Sequence, residues 1–245
     1  MAKTRAKVAR ELLVEIGCEE IPAELLRQVL PELERLTLAK LASARLSHGK
    51  ITALGTPRRL CVAVAALAER QSDIQETVVG PPVQAAFDKE GRPAPAALGF
   101  AKKWGVDAAT LRRAQVKGKK GEYVVLDRHE KGLATLQLLR DLLPELVRAL
   151  PWKKSMRWGW LDEAFVRPVA WLVALYGGQV VPFESFGVKS GAVTYGHRFL
   201  APKAIKLAGT LADYRARLAK APVLADPAAR RARIDKELAR VQKGQ

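Results

Sequence analysis

Three short stretches carry the residues best suited to chemistry. TPRRL, residues 56–60, sets Arg58 and Arg59 side by side at the mouth of an apolar run. PWKKSMRWGW, residues 151–160, places Lys153, Lys154 and Arg157 among tryptophans. YGHRF, residues 195–199, holds His197 and Arg198 between aromatic rings. A guanidinium grips a phosphate with two parallel N–H donors, and an ammonium does so as a point charge. A flat ring beside them stacks on a base. Arg58, Arg59, Lys153, Lys154, Arg157 and Arg198 are therefore the candidate contacts to an RNA backbone. Neighbours in a strand point to opposite faces, so one of Arg58 and Arg59 can hold phosphate while the other pairs with an acid. A competing reading makes the aromatics core and lets the cations snorkel outward from it. A further alternative pairs Arg157 and Arg167 with Asp162 or Glu163 as structural contacts.

Catalytic signatures are missing. The chain has no GxxxxGK[ST] phosphate loop, no GxGxxG turn and no HExxH zinc motif. GVKSGAV around Ser190 lacks the spacing of a hydrolase elbow. His48, His129 and His197 are scattered, and Glu19 and Glu20 are sequence neighbours whose side chains are expected to diverge. No catalytic residue and no metal ligand is assigned. Cys18 and Cys61 lie in apolar runs outside any CxxC pair and are expected to be buried free thiols.

These clusters sit on an unusually basic chain. Its 245 residues include 42 Lys and Arg against 25 Asp and Glu, a net charge of +17. That excess favours a polyanionic partner, nucleic acid above all. It is densest in the last 45 residues, with 11 cations against 4 acids. Hydrophobic residues make up 49%, enough for a core, and no apolar run is long enough to span a membrane. A cytoplasmic protein without signal peptide is expected.

The elements that position the clusters follow from periodicity. Residues 12–16 read as a strand broken at Gly17. Leu25, Leu26, Val29, Leu30, Leu33 and Leu36 recur at helical spacing, with Pro31 expected to kink or split the helix and Gly49 to close it. Residues 50–69 suggest two strands around a turn at residues 55–57. Gly and Pro in VVGPPVQAAFDKEGRPAP suggest a long irregular loop, followed by short helices over residues 94–104 and near Asp107. A hairpin is expected around KGKKGEY, a helix over 133–150 interrupted at Pro144, and strands over 165–176, 180–183 and 192–198. Strand alternation would bury Met156 and Trp158 and turn Arg157 outward. Asp226 and Pro227 open a basic helix whose apolar stripe, Ile234, Leu238 and Val241, must pack on something; the chain looks cut before its partner element. The pattern predicts an α+β fold with mainly antiparallel sheet, divided into an α+β region over residues 1–201 and a basic helical segment over 202–245.

In order, LLVEIGCEEIPAELL, TPRRLCVAVAAL, GPPVQAAFDKEGRPAPAALGFAKKWG, KSMRWG, FVRPVAWLVALYGG and SGAVTYGHRFL resemble the N-terminal part of the bacterial glycyl-tRNA synthetase β subunit. Cys18 stands where the family's EIGTEELP has threonine. The resemblance implies a role in joining glycine to tRNA(Gly) with ATP, in an α2β2 heterotetramer. It places the class II catalytic domain, with its ATP, glycine and Mg, on the separate α subunit, so no cofactor is expected on this chain. It also implies that the β subunit recognises tRNA. The family's HD-like and anticodon-binding regions are absent from this sequence. Two other readings are a freestanding RNA-binding module and a hydrolytic editing enzyme, the latter without a supporting motif.

Overall fold

A computed structural model describes residues 9–243; the basic residues 1–8 lie outside them. The chain forms two compact units. One is assembled from residues up to Gln71 and from Leu133 onward, and the other is Ser72–Gly132. The first unit begins with β1 (Ala9–Cys18), α1 (Ala23–Ser43), β2 (Ile51–Thr56) and β3 (Arg59–Ala68). The second holds β4 (Ile74–Pro82), α2 (Val83–Ala86), α3 (Pro95–Trp104), β5 (Arg112–Gln115) and β6 (Glu122–Glu130). The first then resumes with α4 (Thr135–Arg148), β7 (Val169–Tyr176), β8 (Gln179–Val180), β9 (Glu184–Ser185), β10 (Val188–Gly191), β11 (Val193–Tyr195), β12 (Ala204–Lys206), α5 (Leu211–Lys220) and α6 (Pro227–Lys243). The architecture is α+β, with antiparallel pairing everywhere except β10 against β7.

The main sheet runs β2-β3-β1-β7-β10-β9, with β8 on β7. β1 is central, and both of its faces are covered. Leu12, Val14, Ile16 and Cys18 join one core with α1 and α4, through Leu26, Val29, Leu33, Leu139 and Leu143. Leu13 joins the other with Cys61, Val173, Leu175, Leu207 and the α5 residues Tyr214 and Leu218. Each fully buried Leu, Ile or Val contributes about 1.5–3 kcal/mol, so a strand buried on both sides anchors the fold. The stretch read as a basic helical segment thus supplies Leu207, Tyr214, Leu218 and Ala225 to the second core. Cys18 and Cys61 are buried and free. Burial, first of all, pushes the Cys18 thiol up to about 12, so it stays protonated and inert.

The second face of β1 breaks the apolar pattern with Glu15, which is 0% exposed. Register explains what satisfies it. Glu15 lies opposite Cys61 and Val173, and Gly17 lies opposite Arg59 and Trp171. A Cβ on Gly17 would fall 1.9 Å from the Trp171 ring, so only glycine lets the indole lie across the strand. From there Trp171 Nε1 donates to Glu15 Oε1. Thr194 Oγ1 donates to the same oxygen at 2.5 Å, and Arg59 Nη1 stands 3.6 Å from Oε2. Arg59 also lies over the Trp171 ring at 5.5 Å. Tyr214 closes the group; burial, reinforced by the Glu15 carboxylate, raises its hydroxyl well above the ordinary value.

Several expectations are corrected by the structure. β1 runs through Gly17 to Cys18 because that glycine makes room for Trp171. α1 is continuous across Pro31 and α4 across Pro144. The carbonyls that lose a donor belong to Arg27 and Arg140, both exposed residues, where a free carbonyl is open to solvation. α1 ends at Ser43, not Gly49. The expected loop contains β4, an edge strand that passes Gly80 and Pro81 by a register shift, as prolines do on sheet edges. Met156 is 41% exposed, because residues 151–160 contribute only a single bridge to Phe165 rather than a strand. The Ser72–Gly132 unit packs α2 and α3 on the sheet β4-β6-β5 through Ala86, Ala97 and Val124. The first unit clasps the ends of this insertion: Gln71 N–H donates to Leu133 O at 3.0 Å, and Leu133 N–H donates to Gln71 Oε1 at 3.1 Å. Arg70 and Ala134 form an antiparallel bridge beside them.

Gly17→Ala should destabilise the protein by about 1–3 kcal/mol through overpacking, read from chemical denaturation. Arg59→Met should cost about 3–5 kcal/mol, since it strands the Glu15 carboxylate. Adding Glu15→Gln to it should recover part of that loss, because a neutral amide oxygen still accepts from Trp171 and Thr194. A double variant less stable than Arg59→Met alone would show that the carboxylate's charge is not the problem.

Candidate functional site

The tight turn between β2 and β3, the end of β1 and the loop after β11 meet at one edge of the first unit. Cys18 N–H donates to Arg58 O at 3.0 Å, and Ile21 N–H donates to Pro57 O at 2.6 Å. This brings Glu19 and Glu20 beside the arginine turn. The β11 loop is fixed from below by Arg59, whose Nη2 donates to Tyr195 O at 2.7 Å and whose Nη1 donates to Thr194 Oγ1 at 3.2 Å. Gly196 follows where a Cβ would lie 2.6 Å from Ala201 O and 2.7 Å from the Ala221 methyl. His197 N–H donates to Ala221 O at 2.9 Å, and His197 Nδ1 accepts from Phe199 and Leu200 N–H at 3.3 Å each. The imidazole is a loop staple. The rigid loop presents Arg198, and leaves Phe199 80% and Leu200 70% exposed.

The six candidate cations divide. Arg59 is 2% exposed, and a guanidinium enclosed by Glu15, Thr194, Tyr195 and Trp171 cannot touch a phosphate; it holds the loop. Arg58 and Arg198 both reach Glu19 and Glu20. Arg58 Nη2 is 3.2 Å from Glu19 and its Nε 3.6 Å from Glu20. Arg198 Nη2 is 2.5 Å from Glu19 and its Nη1 3.1 Å from Glu20. Burial pushes the Glu19 carboxyl up, but the bond from Arg198 and the charge of Arg58 outweigh it and leave it below the ordinary value. The two acids therefore converge instead of diverging. Glu20 borders a cleft of about 360 Å³ whose lining includes Thr56, Arg58, Arg198 and Phe199. Its far wall is Pro222–Leu224 and Arg230. Arg230 Nη1 donates to Gly55 O at 2.7 Å and Leu224 O at 2.6 Å, tying the start of α6 to β2.

Lys153, Lys154 and Arg157 lie apart from this edge, on a segment anchored to the α1–α4 core. Trp152 meets Phe165 edge-on at 5.0 Å, and Trp158 stacks on Phe186 at 5.7 Å. Trp158 is thus largely core, as expected. Trp160 is 93% exposed. Arg157 Nε donates to the Asp162 carbonyl at 2.9 Å, while Glu163 pairs with Arg148 at 2.5 Å and Arg167 donates to Val166 O. Lys153 and Lys154 are exposed and make no ion pair among the described residues. Ser190 bonds Val181 O and Phe183 N–H, a structural role.

Sequence reasoning missed Glu15 and the joint role of Glu19 and Glu20. The one signal for Glu15 was an acid in the middle of an apolar strand. Asp226 does cap α6, accepting from Ala228 and Ala229 N–H. The stripe of Ile234, Leu238 and Val241 is exposed.

Comparison with known proteins points to one family. The family described as glycyl-tRNA synthetase beta subunit matches residues 12–245. The glycine–tRNA ligase beta subunit of Anaeromyxobacter dehalogenans (strain 2CP-C) is 50% identical over 233 residues, 95% of this chain and 33% of the relative. Those of Syntrophus aciditrophicus and Myxococcus xanthus are each 44% identical, over 91% and 93% of this chain and 32% of each relative. The chain spans about one third of the length of these curated relatives. The match runs unbroken across both units, from the strand that buries Glu15 to the basic helix α6, and with it the chain belongs to the glycyl-tRNA synthetase beta subunit family.

Proposed function

We infer that this chain is a tRNA-facing, non-catalytic part of glycyl-tRNA synthetase. It supports the ATP-dependent joining of glycine to tRNA(Gly) within an α2β2 assembly, in the cytoplasm. The α subunit would supply the class II active site, with ATP, glycine and Mg. Membership of the glycyl-tRNA synthetase beta subunit family supports a place in a ligase with a partner subunit. The observation that carries the RNA-facing reading is a +17 chain on which Lys153 and Lys154 stand exposed and, among the described residues, without an ion pair, backed by a packed wall of Trp152, Phe165, Phe186 and Trp158. Free lysines on a fixed base neutralise phosphates without reading sequence, orienting the RNA. No described helix is long and apolar enough to cross a membrane.

Binding of labelled tRNA(Gly) should weaken steeply as salt rises, because each phosphate contact releases counterions. Lys153→Ala with Lys154→Ala should weaken binding at every salt and reduce the slope of log K against log salt by about 2, with an unchanged melting temperature. Unchanged affinity would remove this segment from the interface, and no binding by the wild-type chain would overturn the RNA reading. In glycylation assays the chain alone should form no glycyl-tRNA; product formed without α subunit would contradict the non-catalytic role.

A further inference from the structure

Arg58 and Arg198 come from segments 140 residues apart and close on the same two carboxylates. Two guanidiniums converging on shared oxygens form a fork that also suits a phosphodiester. The fork is not saturated: Arg58 Nε is buried and makes no hydrogen bond among the described residues, facing Glu20 only at 3.6 Å. Its members differ in depth. Arg58 is the most enclosed, with its side chain 24% exposed, whereas Glu20 is 55% exposed and lies toward solvent. Arg198 and Glu19 lie between them, at 39% and 38%, so Glu20 is the acid that covers the group from outside.

The neighbouring loop gives this arrangement a direction. Gly196 is packed too tightly for any side chain, His197 bonds two backbone N–H groups, and Arg59 holds the Tyr195 carbonyl. Such a braced loop nonetheless leaves the Phe199 ring in water beside Arg198. A guanidinium pair next to an open aromatic face is the equipment of a nucleotide site, with phosphate on the fork and base on the ring. Taken with the chain's net positive charge, it favours RNA over an acidic protein.

We propose that Arg58 and Arg198 form a seat for an RNA phosphodiester, with Phe199 as its stacking surface, and that Glu19 and Glu20 occupy the seat in the free protein and leave it when RNA enters. The inference rests on the tRNA-facing reading and adds a second contact point, held closed by the chain's own acids. The Arg198 pairs with Glu19 and Glu20 are exposed, and exposed ion pairs are weak, so a polyanion can displace them. The acids would instead disfavour any ligand too weakly charged to compete.

The test is binding of labelled tRNA(Gly), and of a single-stranded RNA oligonucleotide, across a range of salt. Glu19→Gln with Glu20→Gln should bind about two- to tenfold tighter than the wild type at low salt, with a steeper salt slope. Glu32→Gln with Glu184→Gln removes the same charge elsewhere and should give a clearly smaller gain. Arg198→Ala added to the first pair should erase the gain, and Phe199→Ala should weaken the single strand more than duplex RNA. Circular dichroism checks the fold, and Glu20→Gln alone decides the matter if the double variant unfolds. An affinity equal to that of the control pair, a gain that survives loss of Arg198, or weaker binding by a folded double variant would overturn the seat while leaving the Lys153 and Lys154 contacts standing. No binding by any variant, wild type included, would overturn the RNA reading and the seat together.

Discussion

A carboxylate in the middle of the central strand governs the first unit. Glu15 has no access to water, and an uncompensated buried charge is among the largest penalties a fold can carry. Everything able to relieve it must come to it. Trp171 crosses from β7 over Gly17, Thr194 from β11 and Arg59 from β3. Each of these residues then has a second contact. Arg59 fixes the carbonyls of the β11 loop, and the Trp171 ring braces Tyr195 at 5.2 Å. The conformation of the loop that presents Arg198 and Phe199 is thus set by a group buried beneath it.

This dependence explains why the cations have different roles. A guanidinium has enough donors to serve several acceptors at once, and Arg59 uses that capacity internally. Arg58, one residue earlier in the turn before β3, uses it at the surface with Glu19 and Glu20. Lysines have no such fork and are strongly hydrated, which suits Lys153 and Lys154 to remain in solvent. One family of basic residues, indistinguishable in composition, therefore divides into internal brace, surface network and free charge.

The sequence made some of this legible. The apolar periods of α1, α4 and the paired strands follow from spacing alone, whereas alternation does not reach Arg58, which lies in the turn before β3. Burial of both faces of β1 is what hid Arg59's destination, since a strand position does not say whether its face is covered. Gly17 looked like a terminator because the residue it accommodates, Trp171, lies 154 positions away in the chain. Pro31 and Pro144 looked like breaks because spacing does not show which carbonyls face water. Gly80 and Pro81 looked like loop because an edge position is a property of the sheet. Convergence of Glu19 and Glu20 required the β11 loop to be in place, which no local rule supplies.

The clasp at Gln71 and Leu133 bears on how the chain is assembled. Residues 72–132 leave and re-enter the first unit at one point, where two backbone-anchored bonds and a bridge hold the ends together. To the sheet of the first unit, the 61-residue excursion is topologically a single short turn between β3 and α4. If the insertion folds first, bringing β3 and α4 together carries the entropy of closing a very short loop rather than a long one. The same geometry makes this the natural boundary for exchange: a module of another length or sequence can occupy the interval without altering the register that satisfies Glu15.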